Sequence, residues 1–109
     1  MATETLHDLA AWRAALSRHP LVLLFKHSPI CPVSAAALVE WRAFTAKHPE
    51  IPTLFVDVIA DRPVARGLAQ ECGVAHASPQ AIAFRNGRVA WHASHDAITA
   101  ESLARAAAA

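Results

Sequence analysis

The stretch Leu21-Val22-Leu23-Leu24-Phe25-Lys26-His27-Ser28-Pro29-Ile30-Cys31-Pro32-Val33-Ser34 decides how the rest of the chain is read. Leu21 to Phe25 is a short, unbroken apolar run, the length and character of a fully buried strand. From Pro32, an alanine-rich stretch places Val33, Ala37, Trp41 and Phe44 at helical spacing until His48-Pro49 stops it. Cys31 therefore falls where a strand passes through a short loop into a helix. Pro32 suits the first helical turn, where a missing N–H costs nothing. A cysteine at that junction faces unpaired backbone N–H groups and the positive end of the helix dipole, which favour thiolate over thiol. The thiolate is the nucleophile, so this is a candidate thiol enzyme.

Upstream, Leu6, Leu9, Trp12 and Leu16 recur at spacings of three and four, predicting an amphipathic helix over about residues 5–18, closed by His19-Pro20. Downstream, residues 52–59 read as a second buried strand. Two buried strands joined by a helix predict a parallel pair with a right-handed crossover. Asp61-Arg62-Pro63 opens a third helix that ends at Cys72-Gly73. Ala81 to Arg85 and Arg88 to His92 flank Asn86-Gly87, a strong hairpin signal. Thr99 caps a last helix with Glu101 in its first turn. The order is α–β–α–β–α–β–β–α, and with no repeat or linker residues 1–109 are expected to form a single domain.

Composition narrows the partners. A net charge of +1 gives no electrostatic case for nucleic acid or an anionic membrane. The longest apolar runs are too short to span a bilayer, and Glu4, His7, Asp8 and Arg13 interrupt any signal-peptide core. Cys31 and Cys72 alone make neither a disulfide framework nor a zinc site. Reduced thiols and a cytoplasmic location are expected. Among seven histidines the closest pair, His92 and His95, falls at a spacing that puts the two rings on opposite faces of a strand, so no metal site is expected.

The element order, with a cysteine opening the helix after the first core strand, resembles the thioredoxin fold. That resemblance implies an α/β architecture, α-βαβ-α-ββα, with a four-stranded mixed sheet flanked by helices. It also implies a cis bond at Ser78-Pro79, in a loop beside the active cysteine; X–Pro is the one bond type that adopts cis cheaply. Four segments narrow the match: Phe25-Lys26-His27-Ser28, Cys31-Pro32-Val33-Ser34, Val74-Ala75-His76-Ala77-Ser78-Pro79-Gln80 and Trp91-His92-Ala93-Ser94-His95. Together they are similar to the YtxJ family of monothiol bacilliredoxins. Pro29-Ile30 stands where that family carries a polar, often basic pair, and Ala77 where it carries an acid.

The resemblance implies Cys31 as the nucleophile of a monothiol exchange, since Ser34 occupies the place of a dithiol protein's second cysteine. Ser34 either donates a hydrogen bond to the thiolate or fills a helix turn. Lys26 and His27 either add positive potential or, for Lys26, end the strand in solvent. On the substrate side stand Pro32, Ser78 and Pro79, with His76 either reaching the site or lying on the surface. Ser94 and His95 either receive a carboxylate or cap the last helix. Cys72 is expected to be structural, and Trp12, Trp41 and Trp91 to supply core mass. The implied co-substrate is bacillithiol, with no bound cofactor. Its partners would be bacillithiolated proteins and a disulfide reductase that recycles the small thiol. Two other readings stay open: glutathione-dependent, glutaredoxin-like exchange, and a thioredoxin-fold binding module without catalysis.

Overall fold

The computed structural model describes residues 3–109. The chain runs β1 (Glu4–Thr5), α1 (Leu9–Arg18), β2 (Leu21–His27), α2 (Pro32–Lys47), β3 (Thr53–Asp57), α3 (Arg62–Cys72), β4 (Gln80–Arg85), β5 (Arg88–Ser94), a 3-10 turn at His95–Ala97 and α4 (Ala100–Ala108). The sheet order is β1-β3-β2-β4-β5. β1, β3 and β2 are parallel, while β4 and β5 join as antiparallel strands. No helix among the described residues is long and apolar enough to cross a membrane.

The sheet has five strands rather than the expected four. Glu4 and Thr5 pair with Leu54 and Phe55, and the Leu6 N–H donates to the Phe55 carbonyl at 2.8 Å. Leu6, assigned from its spacing to the first helix, is instead buried as the end of this short edge pairing. The helix begins later, at Leu9, where the Asp8 carboxylate accepts from the Ala11 N–H at 2.8 Å. A two-residue strand has no hydrophobic period by which a sequence could reveal it.

Alternation along β2 divides the interior into two layers. Val22 and Leu24 pack with Leu6, Trp12 and Leu68 beneath α1 and α3. Leu23 and Phe25 pack with Ala37, Trp41 and Phe44 beneath α2 and α4. Phe25 stacks on Trp41 with ring centroids 5.2 Å apart. The inward stripe of α2 is Ser34, Ala37, Trp41 and Phe44, whereas Val33 is exposed. Ala37, Trp41 and Phe44 face inward as the apolar pattern predicts, and only the first position differs, a serine being buried in place of Val33.

Local rules set the remaining junctions. Asn86 and Gly87 both have positive φ, 52° and 80°, the geometry a two-residue hairpin needs. Gly67 lets α3 close on α1, since a Cβ there would lie 2.7 Å from Leu9 Cδ1. Thr99 and Ser102 form a reciprocal capping box on α4, and Glu40 Oε1 accepts from the Ala100 N–H at 2.9 Å, tying α2 to α4.

Candidate active site

Parallel β2 and β3 end at the edge of the sheet where antiparallel β4 begins, so three connections meet there. They are the loop carrying Cys31, the turn before α3, and the loop before β4. The Val58 N–H donates to the His27 carbonyl at 2.9 Å, extending the strand pairing into the second of these connections.

Cys31 is the N-cap residue of α2, with extended backbone (φ −106°, ψ 121°) and Pro32 next. Its carbonyl accepts the first helical bond, from Ala35 N–H at 3.0 Å, and its N–H donates to the Ser28 carbonyl at 3.3 Å. The thiol residue is half-buried. Its place at the helix start is the one the sequence predicted.

Ser34 is fully buried and ties the loop to the strand. Its Oγ accepts from the Ser28 N–H at 2.9 Å and lies 2.8 Å from His27 Nδ1. A hydroxyl donates once and accepts twice. With the imidazole proton on Nδ1, Ser34 accepts from both neighbours and keeps its own proton to donate. With the proton on Nε2, Ser34 donates to Nδ1. Burial lowers the His27 pKa, with Arg42 adding to the effect and Asp57 opposing it, so the ring is neutral near pH 7.

Lys26 lies on the other face of β2. It is fully buried, and its Nζ has no hydrogen-bond partner among the described residues. Desolvation pulls its pKa down from 10.5 to about 8, only partly offset by Cys72. The solvated strand-end reading is therefore overturned, and Lys26 and His27 lie beneath opposite faces of the sheet. Strand alternation dictates this for any two consecutive residues.

The Ser78–Pro79 peptide is cis, and Pro79 is buried. The Gln80 side chain braces this loop, Nε2 donating to the Ala75 carbonyl at 3.0 Å. The Ser78 hydroxyl and Gln80 Oε1 are buried without partners among the described residues. Across the strands Gln80 is the direct neighbour of Lys26.

Two grooves flank Cys31. One, of about 380 Å³, is lined by Ser28 and Ile30, by Arg62 and Arg66 of α3, and by His76 and Ser78. The other, of about 490 Å³, is lined by Pro32 and Ala36, by Glu40, and by His95 and Asp96. Ile30 lines the first and Pro32 the second, so Cys31 stands on the ridge between them. Arg62 and Arg66 were not singled out in the sequence. Two cations in the opening turns of a helix, at the positive end of its dipole, were the available signal.

Ser94 pairs with Gln80 across the hairpin, and His95 has a positive φ of 57°. Three backbone amides of this segment have partners within the fold. His95 N–H donates to Pro79 O at 3.1 Å, Thr99 N–H to Ser102 Oγ at 3.0 Å and Ala100 N–H to Glu40 at 2.9 Å. The segment caps α4 and braces the Pro79 loop. Cys72 is half-buried against the α1–α3 layer, and both cysteines are free. Trp12 and Trp41 are buried in the core, and Trp91 packs at its margin.

Comparison with solved structures agrees with this architecture. A candidate oxidoreductase with a thioredoxin fold is 29% identical, with a TM-score of 0.89 over 95% of this chain and 92% of that one. Mitochondrial thioredoxin 3 from Saccharomyces cerevisiae, in its oxidised form, is 14% identical with a TM-score of 0.77, covering 97% of this chain and 93% of its own. Fasciola hepatica thioredoxin is 16% identical with a TM-score of 0.77, covering 97% of each. The latter two show the fold alone. The family model described as monothiol bacilliredoxin BrxC matches residues 4–103, spanning the Cys31 loop, Ser34 and the cis-proline loop. The chain thus belongs to the monothiol bacilliredoxin BrxC family, and is a thiol–disulfide oxidoreductase of thioredoxin fold.

Proposed function

We propose that this protein, acting as a single domain in the cytoplasm, removes bacillithiol from bacillithiolated proteins through Cys31. The observation that carries the reading is Ser34: a buried hydroxyl, bonded to the loop, stands where a dithiol enzyme would keep its resolving thiol. A mixed disulfide on Cys31 then has to be resolved from solution.

In the first step the Cys31 thiolate attacks the bacillithiol sulfur of the protein–bacillithiol disulfide. A bond forms between Cys31 Sγ and that sulfur, the old S–S bond breaks, and the protein leaves as thiolate. In the second, a free bacillithiol thiolate attacks the bacillithiol sulfur on Cys31. This releases bacillithiol disulfide and regenerates the Cys31 thiolate. Overall the protein sulfur returns from the disulfide to the thiol level while the sulfur of the incoming bacillithiol goes from thiol to disulfide, and a separate disulfide reductase restores the small thiol.

The α2 N-terminus supplies the electrostatic support for Cys31, and Lys26 adds a buried positive charge from below the sheet. Ser34 and His27 hold the loop that carries the thiol. Pro32 and the Ser78-Pro79 loop form the walls against which the substrate disulfide lies, with His76 on the α3 side. Ser94 and His95 shape the opposite wall.

The test uses a model protein carrying bacillithiol on a single cysteine. The wild type, supplied with bacillithiol, is expected to release the model protein's thiol, and Cys31→Ala is not. Equal release with glutathione in place of bacillithiol would transfer the activity to a glutaredoxin-like role. No release with either thiol would leave the fold as a binding module.

A further inference from the structure

The groove on the α3 side of Cys31 has a chemical character that the exchange reaction alone does not require. Arg62 and Arg66 are one turn apart on α3, so their side chains rise from the same face of the helix. With His76 they line a groove whose lining includes no carboxylate. The nearby acids are already engaged: Asp61 pairs with His7 at 3.0 Å, and Asp57 accepts from the Ile59 and Ala60 N–H groups at 2.9 Å each. Among the described residues neither arginine joins an ion pair. The helix dipole disfavours cations at this end of α3, so the pair stands against the dipole and without an internal counter-ion among the described residues.

Beneath this groove lie further groups without partners. The Ser78 hydroxyl, which lines it, and the fully buried Lys26 Nζ lack hydrogen-bond partners among the described residues. Desolvation lowers the His76 pKa, and the charges on Lys26, Arg66 and Arg62 lower it further. The groove on the other side of Cys31 is lined instead by Glu40 and Asp96 beside His95, and the His95, Thr99 and Ala100 amides there already have partners.

We infer that the groove formed by Arg62, Arg66, His76 and Ser78 is an anion subsite that holds the dicarboxylate end of the small thiol while its sulfur reacts at Cys31. This rests on the bacillithiol reading above and adds to it the means of selection. Two guanidinium groups one turn apart suit two carboxylates on adjacent carbons, as in the malate group of bacillithiol, each arginine taking one carboxylate by paired N–H donors. Glutathione carries its two carboxylates at opposite ends, so only one can enter. The selection thus acts on the leaving and entering small thiol, and the protein partner is left to the ridge and the second groove.

The test measures adduct formation on Cys31 with bacillithiol disulfide and with the uncharged 2-hydroxyethyl disulfide, for wild type and the exposed double variant Arg62→Gln/Arg66→Gln. In either reaction the Cys31 thiolate displaces one thiolate from the disulfide, so the sulfur chemistry is the same. No protein substrate is present, so acidic side chains of a partner contribute nothing. The double variant is expected to lose roughly 10- to 100-fold in rate with bacillithiol disulfide, the worth of one to two charge-assisted contacts. Its rate with the neutral disulfide should change less than about twofold. Equal losses with both disulfides, or no loss with either, would overturn the subsite. A second arm needs no exchange: added malate should shift the His76 ring resonances of the wild type and not those of the double variant. Malate that leaves His76 unmoved in the wild type would overturn the subsite as well. If malate binds and the arginines matter but bacillithiol disulfide forms no Cys31 adduct, the subsite stands and the bacillithiol reading falls.

Discussion

Ser34 Oγ and His27 Nδ1 meet at 2.8 Å, and the same oxygen takes the Ser28 N–H at 2.9 Å. One buried hydroxyl thus joins the first turn of α2, the end of β2 and the loop that carries Cys31. Ser34→Ala leaves the Ser28 N–H and the His27 ring nitrogen without this partner. A loss of about 1–2 kcal/mol in stability is expected, read from urea denaturation, together with faster amide exchange at Ser28. Unchanged stability would mean that solvent satisfies both groups as well as the serine does.

Ser34→Cys tests the monothiol logic from the other side. The introduced thiol sits one turn from Cys31, at the separation a dithiol enzyme uses. A mixed disulfide on Cys31 should then resolve within the molecule, and its lifetime after a single exchange should fall at least tenfold, as followed by quenched mass analysis. A lifetime equal to that of the wild type would show that something other than the missing thiol keeps Cys31 loaded.

Lys26 makes a pH prediction with a definite sign. Its pKa falls from 10.5 in the unfolded chain to about 8 in the fold, because burial disfavours the charged form. Between these values the unfolded chain holds a proton that the native state has lost, so this group's contribution to stability rises with pH across the window. Its penalty is full below about 8. Lys26→Met should therefore stabilise the protein at pH 7 by on the order of 1–3 kcal/mol, with the gain fading as the pH rises from about 8 towards 10.5. Denaturation midpoints at three pH values check this. The same variant should exchange more slowly at pH 7, which a lysine serving packing alone would not produce.

His76 reports on the basic groove. Its pKa lies below the ordinary 6.5, mainly through desolvation and then through the charges of Lys26, Arg66 and Arg62. Removing positive neighbours must raise it. The NMR titration midpoint of His76 should move up in Arg62→Gln/Arg66→Gln, and up again in the wild type when malate is bound. A midpoint that stays put in the double variant would place His76 outside the arginines' field.

Much of this was legible in sequence because local rules dominated it. The apolar run before Cys31, Pro32 after it, Asn86-Gly87 and Thr99 each act within a few residues, and all took the predicted form. The cis bond at Pro79 followed from resemblance rather than from any local rule. What was missed depends on register and distance in space. β1 exists only because Glu4 and Thr5 find β3 some fifty residues later. The inward turn of Ser34 in place of Val33 is set by how α2 seats on Phe25 and not by hydropathy. Lys26, read as a strand end open to solvent, is covered because the α3 layer reaches over it, and an alternating strand cannot report how far its cover extends. Arg62 and Arg66 belong to no local motif, and only the fold brings Ser28, Ile30 and Ser78 into one groove with them.

In the proposed cycle Cys31 alone carries the small thiol between two intermolecular exchanges. Intact mass of the reduced protein after incubation with bacillithiol disulfide tests it most directly. One bacillithiol adduct is predicted on the wild type, none on Cys31→Ala, and free protein again once excess bacillithiol is added. An absent adduct, one that survives Cys31→Ala, or a Cys31–Cys72 disulfide in its place would contradict it.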